Sequence, residues 1–265
     1  MRVAEQLTRR VFAIAAATWL AVGATARAQA HDHMAMTDRE SSAFSIGASL
    51  LAADFGPTPY YVGDYEGVIP TIAWSHGPVF ASAMIGAYRL DANGRIVHGV
   101  SDAMLATGGL LVDDGGLRAG GSIAATLPTG DDVVGLGMGH VMAMPSLWAE
   151  RALGPVAVRA SAGYSRGITG LGGHVHGLWP LVEPMNLQEL AWRVAATVPV
   201  WQRLELAAST SGGVPFGVAM GVTYATSAVR AAWVGAGVTT ACELQIGWLG
   251  DPYIVRGVVE AMVRL

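Results

Sequence analysis

The sequence predicts an all-β protein, an antiparallel transmembrane β-barrel of about 12 strands preceded by a cleaved signal peptide. Three observations lead there. The chain of 265 residues is 52% apolar and only 14% charged, with 35 glycines, and its mean hydropathy is +0.42. Ordinary globular domains carry about 25% charge. Beyond residue 30, glycines, prolines, arginines and acids interrupt every apolar stretch before it reaches the roughly 18 residues of a spanning helix. Lipid then admits one other way to satisfy the backbone, a closed barrel with strands of roughly 9 to 11 residues. The third observation is a period of two. Leu190, Trp192, Val194, Ala196, Val198 and Val200 alternate with Glu189, Ala191, Arg193, Ala195, Thr197 and Pro199. A soluble β-sandwich or lipocalin-like fold is the alternative, with the same aromatic rings as its core.

The first element is the leader. Arg2, Arg9 and Arg10 precede an apolar run from Val11 to about Ala26, and Ala28-Gln29-Ala30 has the small-x-small form of a cleavage site. Residues 1–30 read as a signal peptide. Thr8-Arg9-Arg10-Val11-Phe12 also fits twin-arginine export of a folded protein, but a barrel must cross the inner membrane unfolded, so the arginines are read as an ordinary positive leader. Residues 31–42 read as a flexible periplasmic tail and 43–265 as the barrel, with no second domain.

Turn signals divide the barrel into thirteen strand candidates: 43–53, 67–75, 78–89, 100–112, 117–127, 141–151, 156–165, 187–199, 203–211, 217–226, 229–238, 241–249 and 253–265. An even-stranded barrel requires one of these to be wrong. Three further segments alternate. Val156, Val158, Ala160, Ala162 and Tyr164 oppose Arg159, Ser161 and Ser165, and Leu244, Ile246 and Trp248 oppose Glu243, Gln245 and Gly247. In the last segment Tyr253, Val255, Gly257, Val259, Ala261, Val263 and Leu265 oppose Arg256, Glu260 and Arg264. Tyr164, Trp192, Trp201, Tyr224, Trp233, Trp248 and Tyr253 fall near strand ends, where amphipathic rings sit at a membrane interface. Residues 167–184 read as a large extracellular loop.

Three stretches carry a resemblance: His98-Gly-Val-Ser-Asp102; Ala124-Ala-Thr-Leu-Pro-Thr-Gly-Asp131 with Gly135-Leu-Gly-Met-Gly139; and the terminal strand to Leu265. They resemble the family of outer-membrane barrels named for the MetA pathway of phenol degradation, most closely over residues 98 to 166. The resemblance implies an outer-membrane barrel passing hydrophobic or small solutes and carries over no catalytic residues. The chain departs from it by ending on Leu265 rather than on an aromatic residue.

Cleavage after Ala30 exposes His31-Asp32-His33. A free amine, two amide nitrogens and the third-residue imidazole then offer four nitrogens in a plane, which suits Cu(II) or Ni(II), while Met34 and Met36 add thioethers suited to Cu(I). His31, His33, Met34 and Met36 are the candidate metal ligands, with copper at the mature amino terminus as an optional ion and no cofactor required. The alternative is a solvated linker.

His174 and His176 are spaced for one side of a strand but read as a loop pair, and His76, His98 and His140 read as polar turn residues. Gly163-Tyr-Ser165-Arg-Gly167 matches a hydrolase elbow without the helix that elbow needs. Cys242, the only cysteine, excludes an intrachain disulfide and reads as a small buried hydrophobe. Sixteen scattered Lys and Arg against 20 Asp and Glu exclude a nucleic-acid partner.

By alternation Arg159, Arg193, Glu205, Glu243, Arg256, Glu260 and Arg264 face the lumen, and Gly217, Ala219, Gly221 and Thr223 leave part of its wall bare. These charges either line an aqueous pore or pair to plug it. The expected protein is not an enzyme. It is a channel or uptake protein for small solutes in the cell outer membrane, with outer-membrane lipid, a small-molecule solute and a copper ion as partners. A metal-handling binding protein and a soluble, folded-exported enzyme are the other two classes.

Overall fold

A computed structural model describes residues 42–55, 62–168, 182, 185–217, 221–250 and 253–265. The leader, the tail ligands His31, His33, Met34 and Met36, and the pair His174 and His176 lie outside the described residues. The strands are β1 (Ser42–Phe55), β2 (Gly63–Val68), β3 (Thr71–His76), β4 (Val79–Met84), β5 (Ala87–Ala92), β6 (Arg95–Val100), β7 (Ala103–Asp114) and β8 (Leu117–Leu127). They continue as β9 (Met142–Leu153), β10 (Val156–Gly167), β11 (Gln188–Trp201), β12 (Leu204–Pro215), β13 (Tyr224–Val234), β14 (Val238–Leu249) and β15 (Tyr253–Arg264).

These fifteen segments make twelve wall strands. β1 pairs along one edge with β15, closing the ring, and along the other with β3 and then β2. β2 and β3 are therefore two lengths of one strand, interrupted at Pro70, which has no N–H for the ladder. Reciprocal backbone bonds between Ser49 and Ile69 (2.7 and 2.9 Å) carry the pairing up to the break. β4 and β5 form a second broken strand, and β6 and β7 a third; the Ser101 N–H donates to the Gly86 carbonyl (2.8 Å) between them. Every pairing is antiparallel between neighbours.

One end of the barrel has connections of two or three residues, at 77–78, 115–116, 154–155, 202–203 and 235–237. Gly115 and Gly116, at φ 55° and 83°, make one of these turns, as two-residue hairpin geometry requires. The opposite end carries the long connections 56–62, 128–141, 168–187 and 216–223.

The outer face is apolar. Ile123, Leu147, Val229 and Ile246 are 51%, 67%, 59% and 50% exposed. Trp248 points outward at the long-loop end, and Trp201 and Trp233 at the short-turn end.

Several expectations are corrected. Candidates 217–226 and 229–238 are one strand, β13, so Gly217, Gly221 and Thr223 lie in the connection before it and bare no wall. Ala219 lies outside the described residues. Tyr253 points into the barrel, because the β1–β15 register skips Ile254 and reverses the phase at the start of β15. Tyr224 also turns inward, its hydroxyl donating to Glu189. Cys242 is exposed on the outer face rather than buried. His98 lies within β6, and His140 is only 1% exposed, so neither is a surface turn residue.

Candidate functional site

The interior includes a charge-bearing cavity and an apolar cap. A cavity of about 400 Å³ runs inside the ring, lined among others by Arg159, Arg193, Arg256, Glu189, Glu243 and Ser209. Serines and alanines of the same strands fill the intervening inward positions, so the space between the charges is open.

The charged groups are held in place by their neighbours. Glu150 on β9 lies 3.4 Å from Arg118 and 3.9 Å from Arg159, whose guanidinium stacks 4.1 Å from the Trp148 ring centroid. Arg230 on β13 and Glu260 on β15 form a buried ion pair. Arg256 donates to the Gln245 carbonyl oxygen through Nε (2.8 Å) and Nη2, and lies over the Tyr253 ring. Gln245 in turn donates to Glu243. Nearer the long-loop end the Glu189 carboxylate accepts from Asn186 Nδ2 (2.6 Å) and from the Tyr224 hydroxyl (3.0 Å).

Of the lumen residues expected from alternation, Arg159, Arg193, Glu243 and Arg256 come together on the cavity. Glu260 is buried against Arg230. Glu205, opposite Ala232, and Arg264, opposite Ser45, sit toward the short-turn end and do not line it. Arg118, Glu150, Glu189 and Arg230 were not anticipated. Arg230 was hidden by the misplaced strand boundary, whereas Glu189 shares the inward face of β11 with Arg193 and was within reach of the same alternation.

The apolar cap lies at the long-loop end. Leu51, Phe55, Tyr65, Tyr88 and Leu90 pack there, with Leu136 from the 128–141 connection and Val182. Tyr65 and Leu90 are fully buried. The 128–141 connection folds onto this cluster and is fastened at one residue. The Asp102 carboxylate accepts from the backbone N–H of Gly130 (2.9 Å) through Oδ1 and of Met138 (2.7 Å) through Oδ2. Thr129 Oγ1 adds a bond from the Ala103 N–H (2.8 Å) and one to the Ser101 carbonyl (2.9 Å).

Gly99 makes room, since a Cβ there would stand 2.7 Å from Leu136 Cδ1. Leu136 and Met138 are 3% and 4% exposed. The two stretches His98–Asp102 and Leu127–Gly139, separate in sequence, are thus one latch. Leu127 does end β8, where Pro128 stops the ladder.

No catalytic elbow exists at Ser165, which lies inside β10 rather than between a strand and a helix. Among the described residues no group of three His, Cys, Asp or Glu side chains is placed to hold a metal.

Among solved structures the chain is similar to the COG4313 outer membrane channel from Pseudomonas putida F1, with a TM-score of 0.63 at 11% identity, over 86% of this chain and 98% of that one. It is also similar to the translocator domain of autotransporter NalP from Neisseria meningitidis, with a TM-score of 0.51 at 13% identity, over 99% and 96%. No protein-family model and no curated protein matches the chain. At such identities the likeness is one of architecture, and the architecture is that of an outer-membrane barrel. The apolar outer face is its lipid surface, the short turns are periplasmic and the long loops extracellular.

Proposed function

We propose that the barrel conducts small solutes across the outer membrane. The observation that carries this reading is the cavity of about 400 Å³, bearing Arg159, Arg193, Arg256, Glu189 and Glu243 on its wall, inside a closed ring whose outer face is apolar. A structural barrel has no need of open interior volume, because interiors pack to crystal-like density unless something else occupies them. The similar protein from Pseudomonas putida F1 is described as a channel, which supports the same reading. The apolar cap of Phe55, Tyr65, Tyr88, Leu90 and Leu136 supports solutes with a hydrophobic body.

Purified barrel in planar bilayers tests the proposal. Discrete conductance steps, enlarged when Asp102→Ala frees the cap, are the expected result. Folded protein that shows neither ion conductance nor solute-driven liposome swelling, in wild-type and Asp102→Ala forms alike, defeats it.

A copper-binding tail is a separate proposal resting on His31-Asp32-His33 behind Ala30. His33→Ala is expected to abolish Cu(II) binding by the mature protein. Retention of full affinity removes the idea.

A further inference from the structure

We infer that the cavity is an oxyanion site anchored by Arg193, so that the solutes it selects carry a carboxylate or phosphate group; the inference deepens the channel reading and rests on it. Arg193 sits near the middle of β11, and its Nη2 donates to the Ser209 hydroxyl at 3.2 Å. Its Nε is buried with no hydrogen-bond partner. No carboxylate of the described residues lies within ion-pair distance of it, in contrast to Arg118, Arg159 and Arg230, each of which has one. A buried guanidinium with an unmet donor is costly unless something pairs with it.

The guanidinium lines the cavity and carries the planar charged donor set that suits a carboxylate or phosphate. Ser161 and Ser211, the register partners of Arg193 on β10 and β12, line the same cavity with Ser209, and their hydroxyls are further donors for an oxyanion. Arg256, whose guanidinium bonds to the neutral Gln245 rather than to an acid, lines the same cavity and adds positive charge. Of the two cavity carboxylates, Glu189 accepts from Asn186 and Tyr224, and Glu243 accepts from Gln245 through Oε1. The volume of about 400 Å³ is of small-molecule size.

The test uses the refolded barrel in micelles with sodium propionate, its neutral isostere propionamide, and inorganic phosphate, read by saturation-transfer NMR. Saturable transfer to propionate and none to propionamide is expected. Arg193→Gln should weaken propionate by about tenfold or more, the loss appropriate to a hydrogen bond with a charged group, and Arg193→Lys should recover part of it. Displacement of propionate by phosphate assigns the site to oxyanions in general; no displacement narrows it to carboxylates.

Equal transfer to propionate and propionamide, or an affinity unchanged in Arg193→Gln, overturns the inference. Should Arg193→Gln fail to shift on heating in electrophoresis, and so prove unfolded, Ser209→Ala and Arg193→Lys are read instead, and unchanged affinity in both overturns it equally. Binding without any conductance would defeat the channel reading and leave the oxyanion site standing.

Discussion

The wall from β8 to β15 and the extension formed by β2, β5 and β6 are built with opposite polarity. On the wall, Ile123, Leu147 and Val229 face outward while Ser122, Ser146, Arg193 and Glu243 face in. On the extension, Asp64, Glu66, Arg89 and Asp91 share the outer face, with Arg89 2.6 Å from Asp64, while Tyr65, Tyr88 and Leu90 are buried inside. The backbone period is two in both, so the sign of the alternation records what lies outside, lipid around the wall and water around the extension. A barrel of one polarity would leave its extracellular mouth open. Here the inversion places an apolar face where the 128–141 connection seats as a cap.

The sharpest way to break this comparison is at its ion pairs. Arg230→Ala strands the buried Glu260, with an expected loss of ~3–5 kcal/mol, whereas Arg89→Ala on the extension should cost ~0–1 kcal/mol; urea unfolding in lipid vesicles reads both. Equal losses would mean that the extension is as buried as the wall interior. Next in size is Leu90→Ala, expected to cost ~2–5 kcal/mol through the cavity it leaves in the cap; a loss under 1 kcal/mol would show the cap to be loosely packed.

Charge placed outside separates the two regions most directly. Val229→Arg is expected to cost ~2–4 kcal/mol and Ile96→Arg on the extension ~0–1 kcal/mol, following depth in the bilayer. Reversal of that order would put the extension in lipid. Smaller than the losses from Arg230→Ala, Leu90→Ala and Val229→Arg is that of Asp102→Ala, ~1.5–3 kcal/mol for bonds to a charged acceptor. It is confined to the cap, so hydrogen exchange should quicken at the Gly130 and Met138 amides and stay slow in β8 to β15. Uniform quickening would make Asp102 a support of the whole barrel rather than a latch.

The closed barrel and the inward placing of Arg159, Arg193, Glu243 and Arg256 were readable because alternation is local and survives modest boundary errors. It failed where one residue was inserted or misjudged. The skip at Ile254 turned Tyr253 inward, and dividing β13 between two candidates concealed Arg230. The Asp102 latch was unreadable for a different reason. Its partners Gly130 and Met138 are backbone donors about thirty residues away, and backbone groups leave no mark in residue type. What the sequence did show was the cluster of glycines from 135 to 139, whose compactness the latch explains: a Cβ on Gly137 would meet Asp102 Oδ1 at 2.6 Å.

Cys242 sits opposite Ala231 and Val259 on the outer face, below Trp248 on the same strand. As the sole thiol of the chain, it is a natural attachment point for a single spectroscopic label held at hydrocarbon depth. A bilayer-soluble maleimide should reach it where a charged methanethiosulfonate does not. A nitroxide or fluorophore fixed there would turn depth, tilt and rotation of the barrel in native lipid into observables without altering any residue.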